Sequence, residues 1–348
     1  MFNFNEGPER LTKPPPDRSK ISVGARKMTL RSFLINHNAL LILILLIIGS
    51  AIWSPIFLSS NNIVNILRQQ VSFLLVGVGI LIVMLTGGID LSVASIVGLG
   101  SVLLTEFVAM NDLPLIPAIL ITLLACAALG AINGFLVAFL KMAPFIVTLA
   151  MSFAGLGLVF IVTGGAFRML TGSDPLIPGF IEFGMANDPV FGIPWRVYVS
   201  AFIVIIFWLI MAYTSFGRMT KAVGSNPAAV SLAGIDIRKY QFLAYVICAF
   251  LSGLAGILVT AGAGSSAPTT AQGDWAMTSI AAVIIGGGSI SGGKGTVPYT
   301  VVGIFIMAVI GNIMNLASVP AHPQWVVRAI VIILAIFLRS VIASKDSR

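Results

Sequence analysis

The chain has 348 residues, 58% of them hydrophobic and 9% charged, with a mean hydropathy of +1.04. Soluble domains carry roughly 25% charged residues, so this composition excludes a water-soluble protein and defines a polytopic membrane protein. The net charge of +8 comes without any basic–aromatic pattern, so it reports orientation in a membrane and not nucleic-acid binding.

Residues 1–36 form a polar tail with three prolines at 14–16 and seven basic against three acidic residues. It reads as a disordered tail held on the cytoplasmic side by its charge. The first apolar run is long enough to span, so it reads as a retained signal anchor and not a cleaved leader.

Ten apolar runs follow, at 38–57, 71–85, 93–108, 115–140, 145–162, 197–213, 241–263, 277–287, 297–316 and 325–338. A straight span needs about 20 residues. Three runs are short, and two of those abut Gly-rich breaks, which predicts broken or re-entrant helices. The expected fold class is therefore all-α. It is a polytopic transmembrane bundle of about ten spans over 37–342, with a short cytoplasmic tail at 343–348. Crossing ten times from an inside start places sixteen of the twenty Lys and Arg residues inside. Arg68, Arg168, Arg196 and Arg328 remain outside or at helix ends.

The outside segment 164–195 is the longest. It holds Pro175, Pro178, Pro189 and Pro194, three phenylalanines (Phe180, Phe183, Phe191) and three acids. Two readings stand: a rigid plug over the helices, or a docking surface with aromatic anchors. The inside segment 214–240 is the most cationic of the membrane part. Arg218, Lys221, Arg238 and Lys239 flank a short helical core, Pro227–Ile235, of mostly small residues. Such an island does not help the chain cross a bilayer, and it reads as a handle for a cytosolic partner.

A weak internal repeat relates residues 84–102 to 283–303: each has an apolar run, a Gly-Gly break, a polar turn and a new apolar run. In the second copy, GSISGGKG at 288–295 fits a phosphate-binding loop up to Lys294. Gly295 stands where a magnesium-holding hydroxyl is needed, and apolar spans flank the loop. A tight glycine turn is the better reading. In the first copy, TGGIDLS at 86–92 carries Asp90. Its carboxylate either caps a helix start together with Ser92 or contacts a substrate in a broken helix. Mid-span Asn133 serves as interhelical glue or faces a pore. Glu106 and Asp90 are the only intramembrane acids available to an ion-coupled transporter, and neither has an evident partner. Cys126 and Cys248 read as core packing, and His37 and His322 are too few for a metal site. No catalytic constellation and no cofactor fingerprint emerges.

Five stretches together resemble the membrane permease subunits of bacterial ABC importers of the ribose type. They are TGGIDLSVASIVGL at 86–99, NGFLVAFLKMAPFIVTLAM at 133–151, AVGSNPAAVSLAGIDI at 222–237, IAAVIIGGGSISGGKGTV at 280–297 and QWVVR at 324–328. The resemblance implies a bacterial inner-membrane permease with both termini in the cytoplasm, which translocates a monosaccharide. It implies four kinds of partner: two ATPase subunits, a periplasmic sugar-binding protein, a second permease copy and membrane lipid. It maps the helix that docks on the ATPase to Gly224, Asn226, Pro227, Ala228, Ala229, Ala233, Gly234 and Ile235. It places the translocation path at Asp90, Ser92, Asn133, Phe145 and Thr148. Pro227 stands where family members often carry a polar or acidic residue, but proline is compatible with a first helical position. Ala94 replaces a frequent glycine. A permease of the same type for a nucleoside or a branched-chain amino acid, an ion-coupled transporter and a passive channel remain the rival readings.

Overall fold

The structure, a computed structural model, describes residues 38–346. The basic tail read over 1–36 lies outside them. Thirteen α-helices account for most of the described chain: α1 (Asn38–Trp53), α2 (Ser60–Leu85), α3 (Val93–Ala109), α4 (Leu115–Ala138), α5 (Pro144–Thr163), α6 (Leu176–Met185), α7 (Trp195–Tyr213), α8 (Ser215–Ser225), α9 (Pro227–Leu232), α10 (Ile237–Ala263), α11 (Trp275–Ile285), α12 (Val297–Leu316) and α13 (Ala321–Asp346). Every one of the ten apolar runs carries a helix. Six of these helices, α2, α4, α5, α7, α10 and α12, are long and apolar enough to cross a membrane. The only sheet among the described residues is a two-residue ladder, β1 (Arg168–Met169) antiparallel to β2 (Ser265–Ser266).

The run expected at 71–85 is too short. Helix α2 begins at Ser60, because the side chain of Ser59 accepts from the N–H of Asn62 and starts it. Hydropathy hides its first half behind Asn62, Arg68, Gln69 and Gln70. Asn62 is nonetheless satisfied, since its Nδ2 donates to Phe57 O at 2.8 Å and to Asn312 Oδ1 at 3.0 Å. Helix α13 likewise starts at Ala321 and runs on into the segment read as the C-terminal tail.

Helix α10 is the hub, packed against α2, α3, α4 and α6. In a bilayer, lipid tails are as apolar as leucine, so helices associate through close packing and polar contacts. Small residues supply the closeness here. A Cβ on Gly100 of α3 would overlap the backbone of Gly253, and one on Gly256 would overlap the carbonyl of Val97. Polar pairs supply the rest. Ser101 Oγ and Thr260 Oγ1 lie 2.7 Å apart, and Ser72 Oγ donates to Ala255 O at 3.1 Å.

The segment 164–195 folds down onto the end of α10, with α6 packed along it and β1 held by β2. Phe180 and Phe183 are half-buried against the core, whereas Phe191 is exposed. Glu106, for which the sequence offers no partner, forms an ion pair with Arg168 at 3.5 Å, because the ladder carries Arg168 over α3.

Asp174 ties this segment to α4. It accepts the N–H of Leu176 at 2.8 Å and the N–H of Leu115 at 2.6 Å, and these two bonds hold its carboxyl below the usual range. A depressed folded value gives stability that is full above the unfolded pKa and lost as pH falls through the folded one. Protease cleavage of residues 164–195 in the solubilised protein is therefore expected to rise on acidification below the carboxylate range. Asp174→Asn should flatten that pH dependence; an unchanged profile would show that the tether does not hold the segment.

Candidate functional site

The cationic segment 214–240 folds into two short helices. Helix α8 is amphipathic, with Gly217, Thr220 and Val223 buried, Arg218 exposed and Lys221 half-buried. Asn226 then breaks the helix and caps the next one, its Oδ1 accepting the N–H of Ala229 at 3.0 Å. Such a cap is worth about 1 kcal/mol. Pro227 occupies the first position of α9, where its missing N–H costs nothing.

Helix α9 stops in a Schellman turn. Ile235 N–H bonds Val230 O at 3.3 Å and Gly234 N–H bonds Ser231 O at 2.9 Å, with Gly234 at φ +78°. Only Val230 of α9 is buried. Ala228, Ala229, Ala233 and Gly234 are exposed around Leu232, which is 90% exposed. Leu232 is absent from the sequence-based set; its exposure depends on which way so short a helix faces, and no spacing reports that.

The two copies of the internal repeat use the same helix stop. At the end of α2, Gly88 N–H bonds Val83 O and Gly87 N–H bonds Met84 O, with Gly87 at φ +84°. At the end of α11, Gly288 N–H bonds Val283 O and Gly287 N–H bonds Ile284 O, with Gly287 at φ +90°. Both are Schellman turns on a left-handed glycine. The GSISGGKG stretch is a tight turn closed by Ser289 N–H to Lys294 O at 2.9 Å, with Gly292, Gly293 and Gly295 at positive φ.

These two breaks touch each other and touch α8. Gly293 N–H donates to Leu85 O, the last residue of α2, at 3.0 Å. Gly224, near the end of α8, sits against both. A Cβ there would overlap Leu85 O and come within 2.6 Å of Gly293 N. A Cβ on Gly292 would in turn lie 2.9 Å from Gly224 Cα and 3.0 Å from Gly87 N. Three backbones therefore meet with no side chain between them, and displacement of any one must move the others.

One step further in lies a buried polar knot. Asp90 Oδ1 accepts both the N–H of Ser92, at 2.9 Å, and the Ser92 hydroxyl, at 2.6 Å. Asn133 Nδ2 of α4 donates to Ser92 Oγ at 2.9 Å, and Thr148 Oγ1 of α5 donates to Pro144 O of its own helix at 2.9 Å while lying 3.3 Å from Ile89 O. All four side chains are fully buried. The carboxylate thus serves the N–H at the start of α3, and Asn133 ties that start to α4. Phe145 stays apart from the knot, with 53% of its surface exposed. Tyr245 of α10 covers Gly88, and its hydroxyl has no hydrogen-bond partner among the described residues.

Residues 62–337 match the family model described as branched-chain amino acid transport system / permease component. This helical chain, with its exposed α9 knob joined to two glycine breaks, is thus a transport permease. The chain belongs to the ribose-type branch of the ABC-importer permease family. It is 33% identical to the ribose import permease protein RbsC of Escherichia coli strain K12, over 91% of this chain and 97% of that one. It is 37% identical to RbsC of Bacillus subtilis strain 168, over 85% and 90%, and 33% identical to the D-allose transport system permease protein AlsC of Escherichia coli strain K12, over 87% and 90%. No solved structure matches it.

Proposed function

We propose that this chain is the membrane-spanning permease subunit of an ABC importer that takes up a monosaccharide delivered by a periplasmic binding protein. It crosses the inner membrane ten times, with both termini in the cytoplasm and the α8–α9 segment facing the cytosol. Two copies pair with two ATPase subunits. The relatives named for ribose and allose support the sugar class. The observation that carries the mechanism is the backbone junction at Gly224.

Energy reaches the permease mechanically. The ATPase subunits close on ATP and carry with them α9, seated by its exposed small residues and Leu232. Helix α8 follows α9 through the Asn226 cap, and Gly224 passes the movement to the end of α2 and to the Gly292–Gly293 turn. The halves of the bundle then rock between inward-open and outward-open arrangements. An ion-coupled rival needs free intramembrane acids, and here Glu106 is paired, which leaves Asp90, bonded to Ser92 through Oδ1 alone, as the single candidate among the described residues.

The test is reconstitution with the partner ATPase and binding protein in vesicles. ATP-dependent uptake of a monosaccharide is expected; uptake that ignores ATP and collapses with an ion gradient would sink the reading. Within that assay, Gly234→Glu is expected to abolish uptake and ATPase co-purification while leaving membrane insertion intact. The position has open space, but its φ of +78° is strained for any other residue, and a charge would stand in the docking face. Normal transport by this variant would refute the coupling assignment.

A further inference from the structure

At the end of the bundle opposite the α8–α9 segment, a recess of about 70 Å³ opens between α2, α11, α12 and α13. We infer that it is a monosaccharide subsite on the route from the binding protein into the permease. This rests on the sugar-importer reading and extends it to named residues.

The lining has the chemistry of a sugar's two faces. Gln69, Gln70, Thr278, Asn315 and Arg328 supply amide, hydroxyl and guanidinium groups, and Phe73 with Met307, Ala308 and Gly311 supplies an apolar floor. Phe73 packs on Trp275 with ring centroids 4.5 Å apart, and Trp275 is itself held by a bond from Nε1 to Thr270 O at 2.9 Å. Gln324 Nε2 donates to Asn315 Oδ1 at 2.9 Å, which fixes that amide and leaves its NH2 as a donor. Arg328 pairs with Asp274, and Thr278 Oγ1 donates to the same carboxylate at 2.9 Å. The cation is thus neutralised from within the protein, so the recess favours an uncharged, hydroxyl-rich molecule over an anion or a zwitterion.

Two features argue that these groups serve a ligand. The side chains of Gln69 and Gln70 bond no other protein group among the described residues, although Gln70 is only 8% exposed. Both line the recess and are not sealed in apolar core, so their amides are free to bond what enters it. The size is also informative. A water takes about 10–15 Å³ of such volume, so the space admits several hydroxyls, the edge of a sugar ring and not the whole ring. Such a site orients a sugar briefly and lets it go.

The test uses the assembled importer in vesicles. Parent uptake of D-ribose, D-allose and D-fructose is measured first; if none enters, the monosaccharide reading fails before the subsite is reached. Gln69→Cys then introduces a reactive thiol, since Cys126 and Cys248 are both free and buried. Its labelling by a small methanethiosulfonate is expected to slow by about threefold or more with a millimolar amount of a transported sugar, and not with leucine. In Gln70→Leu, which keeps the volume and removes the amide, uptake of that sugar should fall roughly tenfold, the worth of one to two hydrogen bonds. Labelling that no transported sugar slows, or Gln70→Leu uptake within about twofold of the parent, overturns the subsite alone. A Gln69→Cys thiol that does not react at all shows that lipid or a second copy covers the recess, and overturns it too. If Gln70→Leu fails to accumulate, the labelling result decides.

Discussion

Gly224→Ala is expected to stop ATP-driven uptake while the chain still inserts. The added methyl group is small, but what it meets is backbone: Leu85 O on one side and Gly293 N on the other. Neither can rotate away as a side chain would, so α8 must withdraw from the end of α2 and from the second glycine turn. Overpacking of this kind costs about 1–3 kcal/mol, and a coupling loss of that size corresponds to about 5–150-fold. Uptake per mole of reconstituted importer is the readout, with ATPase co-purification measured beside it. Retained co-purification with lost uptake is the signature of a broken transmission step. Gly157→Ala on α5 is the matched control, since nothing lies within 4 Å of a Cβ there. If Gly224→Ala transports as well as Gly157→Ala, the junction does not transmit movement.

The second large effect is expected at Asp90. Asp90→Ala removes the acceptor for both the Ser92 N–H and the Ser92 hydroxyl in a fully buried place. Each buried group left unpaired costs about 1–3 kcal/mol, and more where a charge is involved. The Ser92 hydroxyl, which also accepts from Asn133 of α4, loses the carboxylate that orients it. Asp90 Oδ2 is itself buried without a hydrogen-bond partner among the described residues, which offsets part of this, and a net loss of about 1–3 kcal/mol follows, read as a lower unfolding temperature in detergent. Asp90→Asn retains Oδ1 as an acceptor and should recover most of it. An Asp90→Ala protein as stable as the parent would show that the knot does not hold the break.

Some of this is legible in the sequence because the causes are local. The Gly-Gly pairs at 87–88 and 287–288 mark helix stops, since a left-handed turn needs glycine. Asn226-Pro227 marks a helix start, where Asn226 caps the first turn of α9. Other features depend on distant partners. The first half of α2 is polar for reasons that lie elsewhere in the chain, Asn312 of α12 for Asn62 and Asn187 of the 164–195 segment for Arg68, so hydropathy alone shortens the helix. Helix α6 hides in a proline-rich segment because its support comes from α10. The meeting of Gly224 with Leu85 and Gly293 joins three parts of the chain far apart in sequence, and no pattern within any one of them announces it. The same holds for the pairing of Glu106 with Arg168.

The bond from Gly293 N–H to Leu85 O has a mechanical consequence. It pins the last turn of α2 to the other repeat, so a tilt of α2 about that end, shared with the helices packed along it, would displace its far end most. The helix has 26 residues, a length of about 39 Å in all, and Gln70 lies about 22 Å from the pin. A tilt of roughly 5° about that end carries the Gln70 level sideways by roughly 2 Å. That displacement matches the scale of a single hydroxyl, so on the proposed coupling a small angular input at the α8–α9 end would be enough to widen or close the polar recess at the far end.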